Sequence, residues 1–301
     1  MFFKEPYKKL WLVYILMCQS EGMEKEDPSS KSGMAGYGVW YNVKDILKVF
    51  KQGEFVTMPG IRAVTSTYEE LVGQPPYNYT VDPPLKKRFP FIAIEGNHRD
   101  SRIIIGKELA NYLQATYLGN PPRSMVPLRK LFDREKGMIR KAYFSLCMYV
   151  GAHHVRETWM REPVVTTGYW LDQAAFSIAQ RFTLETLPPP GSPVYQWPDD
   201  LVRPDVAFFL NIPQLKWGNR PVNMFRPKLA EVYSRIKGVK IIEINQTGTY
   251  RKIFAIIRSR LHKMFKPMFR HVQQDKDEEE KEQVDKNRGE SDYYDSAFKN
   301  R

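Results

Sequence analysis

From residue 89 onward the hydrophobic positions fall into short continuous runs alternating with helical stripes. Phe91-Ile92-Ala93-Ile94 is apolar throughout and stops at Gly96, the pattern of a parallel strand buried on both faces. Next, Ile104, Leu109, Ala110 and Leu113 form an apolar helical stripe, with Asp100 or Ser101 placed to cap its start. Met138 to Trp159 predicts a long, strongly apolar helix, Pro163 to Thr166 a short strand, and Tyr169 to Phe182 another helix. Val206 to Ile212 predicts a third strand, Lys240 to Ile244 a fourth, and Arg251 to Phe265 a final helix. Strands separated by helices imply an α/β fold, its parallel sheet covered on both faces. No internal repeat is apparent.

Before residue 88 the pattern weakens. Lys4, Lys8 and Lys9 precede the apolar run Leu10 to Cys18, nine residues where a bilayer span needs roughly 20. A basic stretch before a short apolar core resembles a signal peptide, but Glu5 interrupts it and no small-x-small cleavage pattern follows. A buried strand or helix turn is the favoured reading. Glu21 to Gly38 turns polar and Gly/Ser-rich and reads as a linker. Val39 to Leu71 reads as semi-ordered, and the Pro-rich stretch Gln74 to Pro84 as a second linker. Asn78-Tyr79-Thr80 is a glycosylation sequon, relevant only to a secreted chain. Residues 1–87 are thus expected to be extension and linkers, 88–265 the folded domain, and 266–301 a charged, disordered tail.

Charge changes the picture most at that tail. Asp275 to Arg301 holds ten acidic and six basic residues, a net of −4, with too few apolar side chains to offset ordering entropy. The chain's +12 therefore hides a body of +16, which points to an anionic partner. Cys18 and Cys147 make no disulfide framework and no zinc spacing, and they fit a reducing compartment.

In parallel α/β folds ligands sit beyond the carboxyl ends of the strands, so the first strand-to-helix turn is the place to seek phosphate chemistry. A phosphate-cradling loop reads Gly-x-x-x-x-Gly-Lys-Ser/Thr: glycines for close backbone approach, lysine for the terminal phosphates, a hydroxyl for magnesium. Here Gly96 opens the turn and Asn97, His98, Arg99 and Asp100 follow. Ser101 then stands at the second glycine, Arg102 at the lysine and Ile103 at the hydroxyl. Gly106-Lys107 lies too far along, inside the helical stripe, to close the loop.

The rest of the chain supplies context. Phe-Pro-Phe-Ile-Ala-Ile-Glu-Gly at 89–96 is followed by Pro121-Pro122, by Leu128-Arg129-Lys130-Leu131-Phe132-Asp133 and by Ile139-Arg140-Lys141-Ala142-Tyr143-Phe144-Ser145-Leu146. Gly168-Tyr169-Trp170 then runs into Ala174-Ala175-Phe176-Ser177-Ile178-Ala179. Pro193-Val194-Tyr195-Gln196-Trp197-Pro198-Asp199-Asp200-Leu201, Arg203-Pro204-Asp205, Phe225-Arg226 and Tyr233 complete the series. In order and spacing these stretches resemble the thymidylate kinase family.

The resemblance implies a P-loop NTPase-type three-layer sandwich with a parallel five-stranded sheet. It implies transfer of the γ-phosphoryl group of magnesium-ATP to a pyrimidine nucleoside monophosphate. Gly96, Asn97, His98, Arg99, Ser101, Arg102 and Ile103 would then bind nucleotide, with Arg102 in the catalytic position. Phe144 would stack on the acceptor base, Arg129 and Tyr169 would line the acceptor site, and Arg220 and Arg226 would belong to the lid. A homodimer and a mitochondrial or cytoplasmic location also come from the resemblance.

The departures fall on the chemistry. Besides the altered P-loop, the family's Asp-Arg-Tyr motif appears as Thr167-Gly168-Tyr169, without the carboxylate and the guanidinium that handle magnesium and phosphate. Phosphoryl transfer depends on such positioned charges. The expected protein is a catalytically impaired kinase relative that binds nucleotide or regulates. The alternatives are an active UMP/CMP/dTMP kinase using Arg102 for lysine, or a basic protein binding nucleic acid or anionic membrane, which charge alone favours. ATP and Mg2+ would be needed only by an active enzyme. His153-His154 lacks a third ligand at useful spacing, so no metal site is expected.

Overall fold

In a computed structural model, described for residues 27, 29–73, 82–135, 137–212, 225–245 and 249–265, five parallel strands form one sheet. The Leu10–Cys18 run, the sequon, Arg220 and the acidic tail lie outside those residues. The strands are β1 (Phe91–Gly96), β2 (Thr116–Gly119), β3 (Val164–Thr167), β4 (Val206–Leu210) and β5 (Ile241–Ile244), in the order β2-β3-β1-β4-β5. β1 sits centrally, with Phe91 beside Val164 and Ile92 beside Val206. The helices are α1 (Lys31–Ala35), α2 (Val43–Phe50), α3 (Ile61–Val72), α4 (Arg99–Leu113), α5 (Arg129–Asp133), α6 (Met138–Thr158), α7 (Trp170–Arg181), α8 (Phe225–Arg235) and α9 (Tyr250–Phe265).

Alternation along the strands divides the core. Ile92, Ile94, Val206, Phe208 and Leu210 meet α4 and α9 on one face. Phe91, Ala93, Val164, Ala207 and Phe209 meet α6, α7 and α8 on the other. Within α9, Ile253, Ile257, Leu261 and Phe265 are buried at four-residue spacing, so this basic helix covers the sheet with its apolar stripe. Gly106 lets α4 close on β3: a Cβ there would collide with Thr167 Cγ2 and come within 3.2 Å of Tyr117. Gly106→Ala is therefore predicted to destabilise the protein by about 1–3 kcal/mol in urea titration, an overpacking cost.

Residues 29–38 are not linker, and Val39 to Leu71, read as semi-ordered, packs into the fold. α1 lies in the supposed Gly/Ser-rich linker, with Met34 fully buried, and α2 and α3 pack on α6. The reason is α6 itself, whose buried residues run from Ile139 to Val155 around most of its circumference and need cover on several sides. Polar bonds fix this layer. Asp200 accepts from Val43 N at 2.8 Å and Tyr149 Oη at 2.7 Å, and Trp170 Nε1 donates to Trp40 O at 3.1 Å.

The family-like stretch around Trp197 is spent on packing too: Tyr195 Oη donates to Pro188 O and Trp197 Nε1 to Leu201 O. Asp205 takes both terminal nitrogens of Arg88, at 2.7 and 2.9 Å, and the N–H of Phe91 at 2.8 Å, which anchors the start of β1. Among the described residues no helix is long and apolar enough to cross a membrane.

Candidate functional site

The carboxyl ends of β1 and β3 open into a cleft of about 760 Å³. One wall is α4, presenting Arg99, Arg102, Ile103 and Lys107; α5 and α6 supply Arg129, Arg140, Lys141, Phe144 and Met148. Asp172, Gln173, Phe176 and Ser177 come from α7, and Phe225, Arg226 and Tyr233 from α8. Among the described residues that line it, seven are basic and Asp172 alone is acidic, so the cleft attracts anions.

The turn that should cradle phosphate is short. β1 ends at Gly96 and α4 begins at Arg99, leaving Asn97 and His98 between them. Gly96 has φ +149°, and a Cβ there would stand 2.5 Å from Leu210 O, so only glycine fits. His98 caps α4: Nδ1 accepts from Ser101 N at 3.3 Å and pairs with Ser101 Oγ at 2.8 Å. Arg102 N already donates to His98 O at 3.2 Å. The N–H groups of Ser101 and Arg102 are therefore engaged in starting the helix. Asn97 donates through Nδ2 to Asn211 Oδ1 and Ile212 O, stapling β1 to the end of β4.

Arg102 turns inward. It is 8 % exposed, donates to Gly96 O at 2.7 Å and forms an ion pair with the carboxylate of Asp172. Burial alone would lower its pKa, but the charge of the adjacent Asp172 overcomes this and holds it raised. Behind it, Glu95 is fully buried; Oε1 accepts from Tyr169 N at 3.0 Å and Oε2 has no partner among the described residues. Burial, reinforced by the charge of Asp172 and opposed by Arg102, pushes the Glu95 pKa up to about 8. At neutral pH Glu95 is protonated, and Asp172 is the carboxylate that answers the guanidinium.

These residues do not fit magnesium-ATP. Ile103 offers no hydroxyl, Thr167 Oγ1 is paired with Tyr117 Oη at 2.7 Å, and Arg102 is committed elsewhere. No cluster of three metal-ligating side chains occurs among the described residues. His153 and His154 both pair with Glu157.

The other predicted residues divide. Arg129, Phe144 and Arg226 line the cleft with Gly96, Asn97, Arg99, Arg102 and Ile103, whereas His98, Ser101 and Tyr169 do not. Tyr169 lies in the core, edge-on to Phe91, with Oη donating to Val202 O at 3.1 Å. It follows Gly168, whose positive φ reverses the chain after β3 and turns the next side chain beneath the sheet end. On the open side, Arg140 lies 4.9 Å over the Phe144 ring, and Asp133 pairs with both Arg129 and Arg140. Phe176 and Phe225 meet edge to face at 5.0 Å. Arg226 donates to Ile212 O at 2.6 Å. Lys141 donates to Tyr37 O and Ser177 Oγ, and burial lowers its pKa.

Asp172, Glu95 and Asn120 are site residues that motif reading passed over. Asp172 had one signal: it is the acid in the first turn of α7, and Arg102 lies near the start of α4, on helices that follow neighbouring strands.

No family model matches the chain. The human mitochondrial UMP-CMP kinase 2 is 36% identical to it over 129 residues, 42% of this chain. Over that span the chain is similar to a nucleoside monophosphate kinase. The match spans 29% of the human protein's own length. Among solved structures, thymidylate kinase from Candida albicans superposes with a TM-score of 0.42 at 17% identity, covering 58% of this chain and 92% of that one. In this domain the parallel sheet and the cationic cleft stand together, and only Asn97 and His98 separate the first strand from its helix.

Proposed function

We propose that the cleft binds a pyrimidine nucleoside monophosphate and that the chain acts as a nucleotide-binding or regulatory protein rather than a working kinase. One observation carries this reading: the Arg102 guanidinium is held by Gly96 O and Asp172 instead of facing the cleft as a free phosphate ligand. Reaching a donor phosphate would require it to leave both partners and abandon Asp172 beside the incoming anion. Losing one preorganised charge typically costs ~10²–10³ in rate, and kinases working at about 1–100 s⁻¹ have little to spare. The cationic lining supports retention of phosphate binding. A mitochondrial location belongs to the same proposal, by analogy with the human relative.

ADP formation from magnesium-ATP, with CMP, UMP, dUMP or dTMP as acceptor, tests the proposal. No acceptor-dependent ADP is expected above background hydrolysis. Turnover in the kinase range, abolished by Arg102→Ala, would establish the active-kinase alternative instead.

A further inference from the structure

Behind the cleft wall, one cation serves two acids. Arg102 and Asp172 line the cleft as an ion pair, and the Asp172 side chain is 37% exposed there. Glu95 does not line it. Arg102 donates to Gly96 O at 2.7 Å, so the guanidinium is tied to the backbone beside Glu95 as well as to Asp172. The groups that act on Glu95 come from three sides: Arg102 from α4, Tyr169 and Asp172 from the start of α7, and Tyr233 from α8. Its neighbour on β4 is the apolar Phe209. Burial holds the Tyr169 and Tyr233 hydroxyls well above the usual tyrosine range, so neither phenol titrates near neutrality. Arg102 answers Asp172, and a second carboxylate would be an uncompensated buried charge, which a protein avoids by keeping the proton. Oε1 of Glu95 already accepts from Tyr169 N, so that proton belongs on the unpartnered Oε2.

We infer that Glu95 is a positioning residue that couples anion binding in the cleft to a proton: a nucleotide phosphate binds with proton uptake, and Glu95 is the group that takes it up. The inference rests on the nucleotide-binding reading above. Glu95 touches no ligand and acts through Arg102 and Asp172. With Glu95 protonated, the three groups sum to zero charge; with Glu95 ionised they carry a net −1 behind the cleft wall. An incoming phosphate repels the charged form and favours the neutral one, so the bound ligand raises the proton affinity of Glu95. Linkage fixes the sign. The proton comes from solvent and enters on Oε2, and affinity for an anion falls as pH climbs through the range in which Glu95 titrates, from about 8 upward. The seven cationic side chains draw the anion in, and the proton on Glu95 keeps the single acidic residue among those lining it answered by Arg102.

Calorimetric titration of the full chain with CMP at pH 7, 8 and 9, repeated on Glu95→Gln, tests the assignment. A phosphate monoester completes its second ionisation near pH 6, roughly a unit below this range, so the ligand's own charge stays fixed. Wild-type affinity is expected to fall about tenfold from pH 7 to pH 9, the effect of a one-unit displacement of the Glu95 pKa, and the variant's by no more than about twofold. A purely structural Glu95 would lower affinity equally at every pH and preserve the ratio, which would overturn the inference. Lys141 also lines the cleft, and burial lowers its pKa, so its titration would act in the same direction. The fall with pH should therefore persist in Lys141→Met. Should Glu95→Gln fail to fold, wild type and Lys141→Met are titrated at pH 8 in HEPES and in Tris, whose different ionisation heats report proton uptake. Roughly 0.4 proton per CMP is expected in both proteins. No uptake in the wild type, or its loss in Lys141→Met, would overturn the inference. Equal pH dependence in wild type and Glu95→Gln removes this inference alone, whereas absence of CMP binding at every pH removes the nucleotide reading with it.

Discussion

Phe50→Ala is expected to lower the unfolding free energy by about 3–5 kcal/mol, the cost of emptying a buried aromatic site. Phe50 is 1 % exposed and meets Phe132 edge to face at 6.5 Å, so its ring joins α2 to the segment carrying Arg129 and Asp133. The same helix buries Val43, Ile46 and Val49 against α6. If the first part of the chain were a detachable extension, the substitution would be silent. Urea denaturation of both proteins decides between the two, because an unchanged midpoint at an unchanged slope contradicts the packing described here. The consequence reaches function, since α6 also bears Arg140, Lys141 and Phe144 on the side facing the cleft. Loosening its cover should weaken nucleotide binding as well.

A second large effect concerns pH. Glu95 is fully buried with its pKa raised from 4.5 to about 8, so the folded state holds a proton that the unfolded state has released at neutral pH. A raised folded-state pKa contributes stability that is complete below the unfolded value and is lost as pH climbs to the folded one. Each pH unit between those two values costs about 1.4 kcal/mol. From pH 4.5 to pH 8 the wild-type chain is therefore predicted to lose stability on the order of 4 kcal/mol relative to Glu95→Gln. Glutamine keeps an oxygen to accept from Tyr169 N, so the comparison isolates the proton. Denaturation curves at pH 5, 6.5 and 8 should converge for the two proteins at the acid end and separate at the basic end. Parallel profiles would falsify the protonated, buried Glu95.

Much of this architecture was legible in the sequence because strands buried on both faces write continuous apolar runs. β1, β4 and α6 could be read directly. β2 could not, since Thr116–Gly119 is half-buried throughout and leaves neither a continuous run nor a clean alternation. α1–α3 were hidden for a different reason. Short helices are marginal alone and take their stability from tertiary packing, and the surface that holds α2 belongs to α6, some ninety residues downstream.

The site divides along the same line. Arg102 was identified by its position in a motif, but its direction depends on Asp172, seventy residues away, and on Glu95 beneath. Motif spacing cannot show that a helix starts early: the N-cap formed by His98 and Ser101 turns a would-be cradle into helix. Tyr169 carried the right letter in the right place, yet the positive φ of Gly168 sends it into the core.

A phosphate-binding cleft that persists around an arginine removed from phosphate chemistry should treat its two candidate ligands differently. Calorimetric titration of one preparation with CMP and then with magnesium-ATP separates them. Saturable binding is expected for CMP, and for magnesium-ATP no saturable heat that depends on Arg102. Saturable magnesium-ATP binding in the wild type that disappears in Arg102→Ala would contradict this, because the guanidinium would then be a donor-phosphate ligand after all.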